Sequence, residues 1–348
     1  MTPLLCLLLA CPQIDDLFEA PAGANVPGGS FIVIRNGKVV CKGAHGLANV
    51  EKRIRNTTRT NFRLASMTKQ FTAMAVMILA DRGKLSFDDP ASRFFPELPA
   101  WARRMSVRHL LNHTSGIMPY EPAAPSIPPG KVTPRDQLQD RDVLEILKKQ
   151  ERTLFEPGAQ YRYSNSGYVL LGLLVERASG LSFPEFLRKE IFDPLRMKGS
   201  VAHQEAVAVV RNRAYGYSKR GDGFRRTDQS VTSATLGDGG IYTSVEDLLK
   251  WDRALAAHRL VKEETWRQAV TPGALNNGSR TEYGFGWEIA SHRGRRLWRH
   301  SGTTVGFNSY IARFPDDRLT VIVLLNRTDL KPSEIVFEIA GRYLDARP

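Results

Sequence analysis

Three cysteines in 348 residues leave little room for cysteine chemistry. Cys6, Cys11 and Cys41 cannot all pair within one chain, and none lies in a Cys-x-x-Cys motif. A zinc ribbon, a thioredoxin-like site and a disulfide framework are therefore excluded. Cys41, inside a strand-like run, reads as a small buried hydrophobe. The chain also lacks a Walker A loop, a Rossmann glycine fingerprint, a Gly-x-Ser-x-Gly elbow and a His-Glu-x-x-His pair. Its seven histidines show no close metal-ligand spacing. No metal, nucleotide or other cofactor is expected. No apolar run reaches the roughly 20 residues that a membrane-spanning helix needs.

Residues Leu4 to Ala10 form one short apolar run. It matches the apolar core of a secretory leader, and Ala10–Cys11 after Leu8–Leu9 resembles a lipoprotein cleavage site. No Lys or Arg precedes it. Residues 1–20 are read as a leader or a flexible N-terminus. The chain is expected to be exported to the periplasm or cell envelope, with the cytoplasm as the other possibility.

The charge is one-sided: 49 Lys+Arg against 36 Asp+Glu, a formal +13. No basic helix or aromatic-interleaved strand turns that excess into a nucleic-acid footprint. It fits an anionic envelope or simple solubility. A hydrophobic content of 42% with 24% charged residues is enough for a large core and excludes disorder over most of the chain.

Strand signals cluster at the two ends. Phe31–Ile34, Asn36-Gly37 and Val39–Cys41 read as a hairpin, because Asn-Gly tolerates the positive φ of a type I′ turn. Gly286–Ala290, Phe307–Phe314 and Leu319–Leu325 follow near the C-terminus, with Pro315-Asp-Asp317 as a turn. Ser333 to Leu344 reads as a final helix capped by Ser333. Between the ends, Met67–Asp81 is apolar on most faces and so a buried helix. Val143–Lys149, Tyr168–Ala178, Phe183–Ile191 and Val245–Ala257 also read as helices. Neither strand set makes a stable sheet alone. The expected fold is α/β (α+β): an antiparallel sheet of about five or more strands from both chain ends, with a mostly helical insert. Residues 21–62 and 280–348 would form the discontinuous sheet domain and 63–279 the helical one. Met118–Arg135 carries six prolines and is expected to be a loop on the rim of a site.

Three short motifs carry chemistry. Ser66-Met-Thr-Lys69 puts a hydroxyl and an amine on one helix face, at the head of the buried helix. A lysine can take the serine's proton if burial and the helix end lower its pKa, and the Ser66 N–H can stabilise an oxyanion. The plain alternative is a cap serine with an exposed lysine. Tyr163-Ser-Asn165 follows a Pro-Gly turn. A phenol can shuttle protons if a cation lowers its pKa, and an Asn amide can both donate and accept. Otherwise the segment is a turn with a helix cap. His300-Ser-Gly302 follows Arg293, Arg295, Arg296 and Arg299. There a glycine would admit a substrate backbone to a sheet edge, or the motif is a strand-end turn. His113, in Leu110-Leu-Asn-His-Thr-Ser-Gly116, could be a catalytic histidine, but it reads rather as a helix-end histidine tied to the backbone, with Gly116 as the left-handed cap.

The order and spacing of these motifs resemble the serine β-lactamase and penicillin-binding superfamily. The chain is most similar to its class C branch, which holds class C β-lactamases, D-alanyl-D-alanine carboxypeptidases, D-aminopeptidases and esterases. Gly237-Asp-Gly-Gly-Ile-Tyr-Thr-Ser244, Tyr283-Gly-Phe-Gly-Trp287 and His300-Ser-Gly-Thr-Thr-Val-Gly-Phe307 extend the resemblance over residues 28–345. It implies a β-lactamase/transpeptidase-like fold. It also implies roles: Ser66 the nucleophile, Lys69 its activating partner, Tyr163 the general base that also serves the leaving group. Asn165 would bind the substrate amide, and the Ser66 and Thr303 N–H groups would form the oxyanion hole. His300, Ser301 and Gly302 would line the far wall. The third motif departs from the Lys-Thr-Gly usual in class C β-lactamases, which removes a permanent cation for a substrate carboxylate. The implied activity is a serine hydrolase working through an acyl-enzyme on a D-amino-acid peptide, a β-lactam or a small ester. The alternative is a non-hydrolytic penicillin-binding sensor or envelope scaffold.

Overall fold

The structure is a computed structural model that describes residues 14–20, 24–204 and 207–345. The leader reading falls largely outside these residues. A six-stranded antiparallel sheet runs in the order Glu288–His292, Arg295–Thr304, Phe307–Phe314, Leu319–Leu325, Gly29–Arg35, Lys38–His45. The two chain ends meet inside it: Gly29 pairs with Leu325 and Arg35 with Leu319. Asn36 and Gly37 turn the first hairpin with φ of 52° and 71°, as an Asn-Gly type I′ turn requires.

Strand alternation separates two apolar layers. Ile32, Ile34, Ile311, Ile322 and Leu324 face the helices of the central segment. Phe31, Val33, Val321, Val323 and Leu325 face the C-terminal helix, Pro332–Leu344. That helix starts at Pro332 with Lys331 as its cap, not at Ser333. Proline is pre-set for the first helical position, where its missing N–H costs nothing. The central helices include Lys69–Asp81, Asn165–Ser179 and Val245–Ala256. Eleven residues of the first, Lys69 to Leu79, are buried. Among the described residues no helix is long and apolar enough to cross a membrane.

Two readings change. Cys41 is disulfide-bonded, not a free apolar filler, and the other cysteine lies outside the described residues. A ten-residue strand, Arg295–Thr304, carries the third motif. Within it only Leu297, His300 and Gly302 are buried, Leu297 on the face opposite the other two.

Candidate active site

Ser66 lies in a tight 3-10 turn, Ala65–Thr68, just before the buried helix. No side chain caps either element, so the cap-serine reading fails. Ala65 is held at φ 49°. For a residue with a Cβ this conformation costs about 1–2 kcal/mol, and such strain persists only where surrounding contacts impose it. The turn is pinned on two sides. The Leu64 N–H donates to the Ile241 carbonyl at 2.8 Å. The Leu64 carbonyl accepts from Ser309 Oγ, also at 2.8 Å. A Cβ on Gly302 would collide with that same carbonyl and with Ser309 Oγ. Gly302 therefore lets the serine-bearing turn lie against the strand; its missing side chain is filled by protein.

Lys69 is fully buried. Its Nζ donates to Ser66 Oγ at 3.2 Å, Asn165 Oδ1 at 2.8 Å and the Asp238 carbonyl at 2.8 Å. An ammonium has three protons, so each has an acceptor. Burial pulls the Lys69 amine down to about 8, against the opposing pull of Asp238 and Glu121. It can thus lose its proton far more readily than a surface lysine.

Tyr163 keeps 39% of its surface open, and Lys69 Nζ lies 4.9 Å from its ring centre. The hydroxyl end is deep, and burial raises the phenol well above its ordinary range; a hydrogen bond with Ser66 pulls the other way. The condition under which a neighbouring cation would make the phenol acidic is opposed here by burial. Tyr163 rests as a neutral hydroxyl, and Lys69 is the group tuned toward neutrality.

Asn165 opens the helix Asn165–Ser179, whose cap is Ser164. Its Oδ1 accepts from Lys69 and its Nδ2 donates to Glu121 Oε1 at 2.8 Å. One Nδ2 proton remains for a substrate. Glu121 was not foreseen. It belongs to the proline-rich loop, and its second oxygen, Oε2, is buried without a partner. The loop is fastened beside the site: Tyr120 N–H donates to Ser166 Oγ, which donates to the Met118 carbonyl. Tyr120 Oη donates to Asp238 Oδ2 at 3.1 Å, steadying the residue whose carbonyl receives Lys69.

The third motif divides between the two faces of its strand. His300 is buried near Tyr163, with ring centres 6.4 Å apart. Its Nδ1 meets the Ser301 carbonyl at 2.6 Å and its Nε2 meets Tyr283 Oη at 2.8 Å. Burial, then Lys69, draws its pKa down to about 3. A neutral ring facing a carbonyl must carry its proton on Nδ1, so Tyr283 donates to Nε2. His300 thus has no ring nitrogen left for substrate. Ser301 and Thr303 point to the opposite face, where they line a cavity of about 710 Å³ with Asn308, Tyr310 and the start of the C-terminal helix. The expected far wall is corrected accordingly: alternation sends the Ser301 side chain away, and Thr303 could serve only through its main chain. The arginines are paired: Arg293 with Asp345, Arg295 with Asp317, Arg296 with Asp316 and Arg299 with Glu288.

His113 itself takes the left-handed conformation, φ 59°. The preceding helix, Val107–Leu111, ends at Asn112. Gly116, at φ 70°, instead packs against the Phe155 carbonyl.

A serine touched by a buried, weakened lysine, beside a tyrosine and an asparagine at a sheet edge, defines an active-site-serine hydrolase. The Beta-lactamase family model matches residues 14–338. The chain is 29% identical to a penicillin-binding protein of Bacillus subtilis, over 97% of this chain and 76% of that one. It is 28% identical to a D-aminopeptidase of Gluconobacter oxydans over 88% of its length, but spans only 57% of that relative. The solved octameric penicillin-binding protein homologue of Pyrococcus abyssi superposes with a TM-score of 0.76 at 31% identity, covering 92% of this chain and 74% of that one. The chain belongs to the Beta-lactamase family.

Proposed function

We propose that this chain hydrolyses amides of D-amino acids or short D-peptides bearing a free α-amino group, by an acyl-enzyme on Ser66. The carrying observation is the contact of Lys69 Nζ with Ser66 Oγ, together with a lysine amine lowered to about 8. In this reading Lys69 takes the Ser66 proton as Oγ bonds the substrate carbonyl carbon. The oxyanion is held by the Ser66 and Thr303 N–H groups. As the carbon–nitrogen bond breaks, a proton reaches the leaving nitrogen through the Tyr163 hydroxyl, which gives one proton and takes another and ends neutral. Water then attacks the ester, its proton returns by the same groups, and the Ser66 oxygen leaves with a proton restored.

The substrate class follows from charge. His300 is neutral and buried, and the nearby arginines are paired, so the third motif offers no cation to a substrate carboxylate. Glu121 places a carboxylate beside Asn165, its Oε2 buried, and a substrate ammonium bound at the site would be drawn to its charge. The D-configuration is taken from the relative named D-aminopeptidase. This favours the amide-cleaving members of the class C branch over carboxypeptidases, β-lactamases and non-hydrolytic sensors. Residues 21–62 with 280–348, and 63–279, are proposed as the sheet and helical domains that meet at Ser66. The disulfide at Cys41 supports export to an oxidising compartment.

The test is a panel of D-alanine p-nitroanilide, a peptide ending in D-Ala-D-Ala, nitrocefin and a p-nitrophenyl ester, run on the wild type and Ser66→Ala. The reading expects D-alanine p-nitroanilide to be preferred, with no turnover and no fluorophosphonate labelling in Ser66→Ala. Undiminished labelling of that variant would overturn it.

A further inference from the structure

His113 is buried, and its ring centre lies 4.2 Å from that of Tyr163, 4.5 Å from Tyr283 and 5.0 Å from Tyr168. Its main-chain carbonyl accepts the Arg162 N–H at 2.9 Å. Its ring Nδ1 accepts the Ser164 N–H at 3.1 Å. These are the amides immediately before and after Tyr163. A single residue thus grips the chain on both sides of the tyrosine while its ring backs the phenol.

The grip is held at a cost. With Nδ1 accepting, the ring proton sits on Nε2, which is buried without a hydrogen-bond partner. An unpaired buried donor is destabilising; the left-handed φ of 59° is the cap of the preceding helix, where the Thr114 N–H bonds the His109 carbonyl at 2.9 Å. The unpaired donor would vanish with a residue that carried no second ring nitrogen. Burial also keeps His113 well below its ordinary pKa, so it stays a neutral acceptor at working pH. An unpaired donor retained beside a reactive group points to positioning.

We propose that His113 is a positioning residue for catalysis, a clamp that holds the Tyr163 hydroxyl on Ser66 through the main chain of residues 162–164. This rests on the reading of Tyr163 as the conveyor of protons. His113 touches neither substrate nor Ser66; it acts only by fixing where the phenol stands.

Asparagine and glutamine separate this role from bulk packing. The Oδ1 of an asparagine can occupy the place of the histidine Nδ1, and asparagine tolerates positive φ. A glutamine is equally polar but carries its acceptor one carbon further out. The full chain would be prepared as His113→Asn, His113→Gln, Tyr163→Phe and the double variant His113→Gln/Tyr163→Phe. Thermal unfolding would report folding, and kcat and KM would be measured on D-alanine p-nitroanilide, or on p-nitrophenyl acetate if the anilide is not turned over. A small displacement of a reacting group can lower rate about 100-fold. The expectation is a fall in kcat of at least about tenfold in His113→Gln, with KM little changed. His113→Asn should recover most of it. The double variant should be no slower than Tyr163→Phe alone, because the clamp then holds nothing that reacts. Equal kcat in the Asn and Gln variants, or losses that multiply in the double variant, would overturn the clamp while leaving the site intact. Wild-type kcat in Tyr163→Phe would overturn the reading of the site and the clamp with it.

Discussion

The Asn165 side-chain amide donates to Glu121 across 2.8 Å while its oxygen receives Lys69. That pairing fixes which way round the amide sits, since only its NH2 can face a carboxylate. It ties the proline-rich loop to the lysine through one side chain, so Glu121 serves both the order of the site and its charge.

Glu121→Gln should therefore separate two effects. Glutamine keeps an acceptor for Asn165 but removes the negative charge. On D-alanine p-nitroanilide, kcat/KM should fall about tenfold or more, the size of a lost charge-assisted hydrogen bond. On p-nitrophenyl acetate, which has no amine, it should change little. Equal losses on both substrates would mean that Glu121 orders the site without reading the ammonium.

Lys69 predicts the pH profile. Its amine is lowered by burial to about 8, and it is needed neutral to accept the Ser66 proton. Acylation should be slow below that value, rise through pH 8 and level off above it. About one molecule in ten carries the neutral amine at pH 7. The same shift bears on stability. The unfolded lysine holds its proton up to about 10.5, so the unfolded state binds more protons between about 8 and 10.5, and this group makes the fold more stable as pH rises through that window. Lys69→Ala should lower kcat by orders of magnitude in a folded protein. A fluorophosphonate labelling rate that is flat from pH 6 to 9 would contradict the role.

What could be read from the sequence follows periodicity. Phe307–Phe314 and Leu319–Leu325 are found at their expected bounds because both faces are buried, and the two runs are rich in apolar and β-branched or aromatic residues between clear turns. The helix after Ser66 was legible for the same reason. The strand Arg295–Thr304 was not, since it opens on two arginines and only three of its residues are buried, without a period of two. Ser66, Lys69, Tyr163 and Asn165 were legible as a motif order, and the structure brings them together. Glu121 is 44 residues from Asn165, and only the packing of a loop without regular periodicity joins them. Asp238 contributes a main-chain carbonyl, which no side-chain pattern records. The burial that raises the Tyr163 phenol depends on tertiary contacts, which no local pattern records.

His300→Ala tests whether the third motif binds substrate or builds the wall behind it. The histidine ring receives Tyr283 Oη and holds the Ser301 carbonyl. Removing it takes that acceptor from a buried tyrosine hydroxyl, which costs about 1–3 kcal/mol. The melting temperature should fall, and KM for D-alanine p-nitroanilide should move less than kcat. Because burial draws His300 to about 3, no histidine-linked limb from this residue should cross the pH–rate profile between 5 and 8. A large rise in KM with an unchanged melting temperature would return His300 to direct substrate contact.

Gly302 supplies the sharpest steric test. Its Cα faces the Leu64 carbonyl and Ser309 Oγ, which are already bonded to each other. Gly302→Ala must push the turn carrying Ser66 away from its strand, because one partner is backbone and cannot rotate aside. Overpacking of this kind costs about 1–3 kcal/mol. The shift would also move Ser66 relative to the Thr303 N–H, so acylation should slow about 100-fold, as for an ångström-scale misplacement. Ser309→Ala removes the hydroxyl but leaves the carbonyl contact, so Gly302→Ala/Ser309→Ala should recover only part of the stability and little of the rate. Full recovery in that double variant would locate the clash at the hydroxyl and show that the Leu64 carbonyl has room to yield.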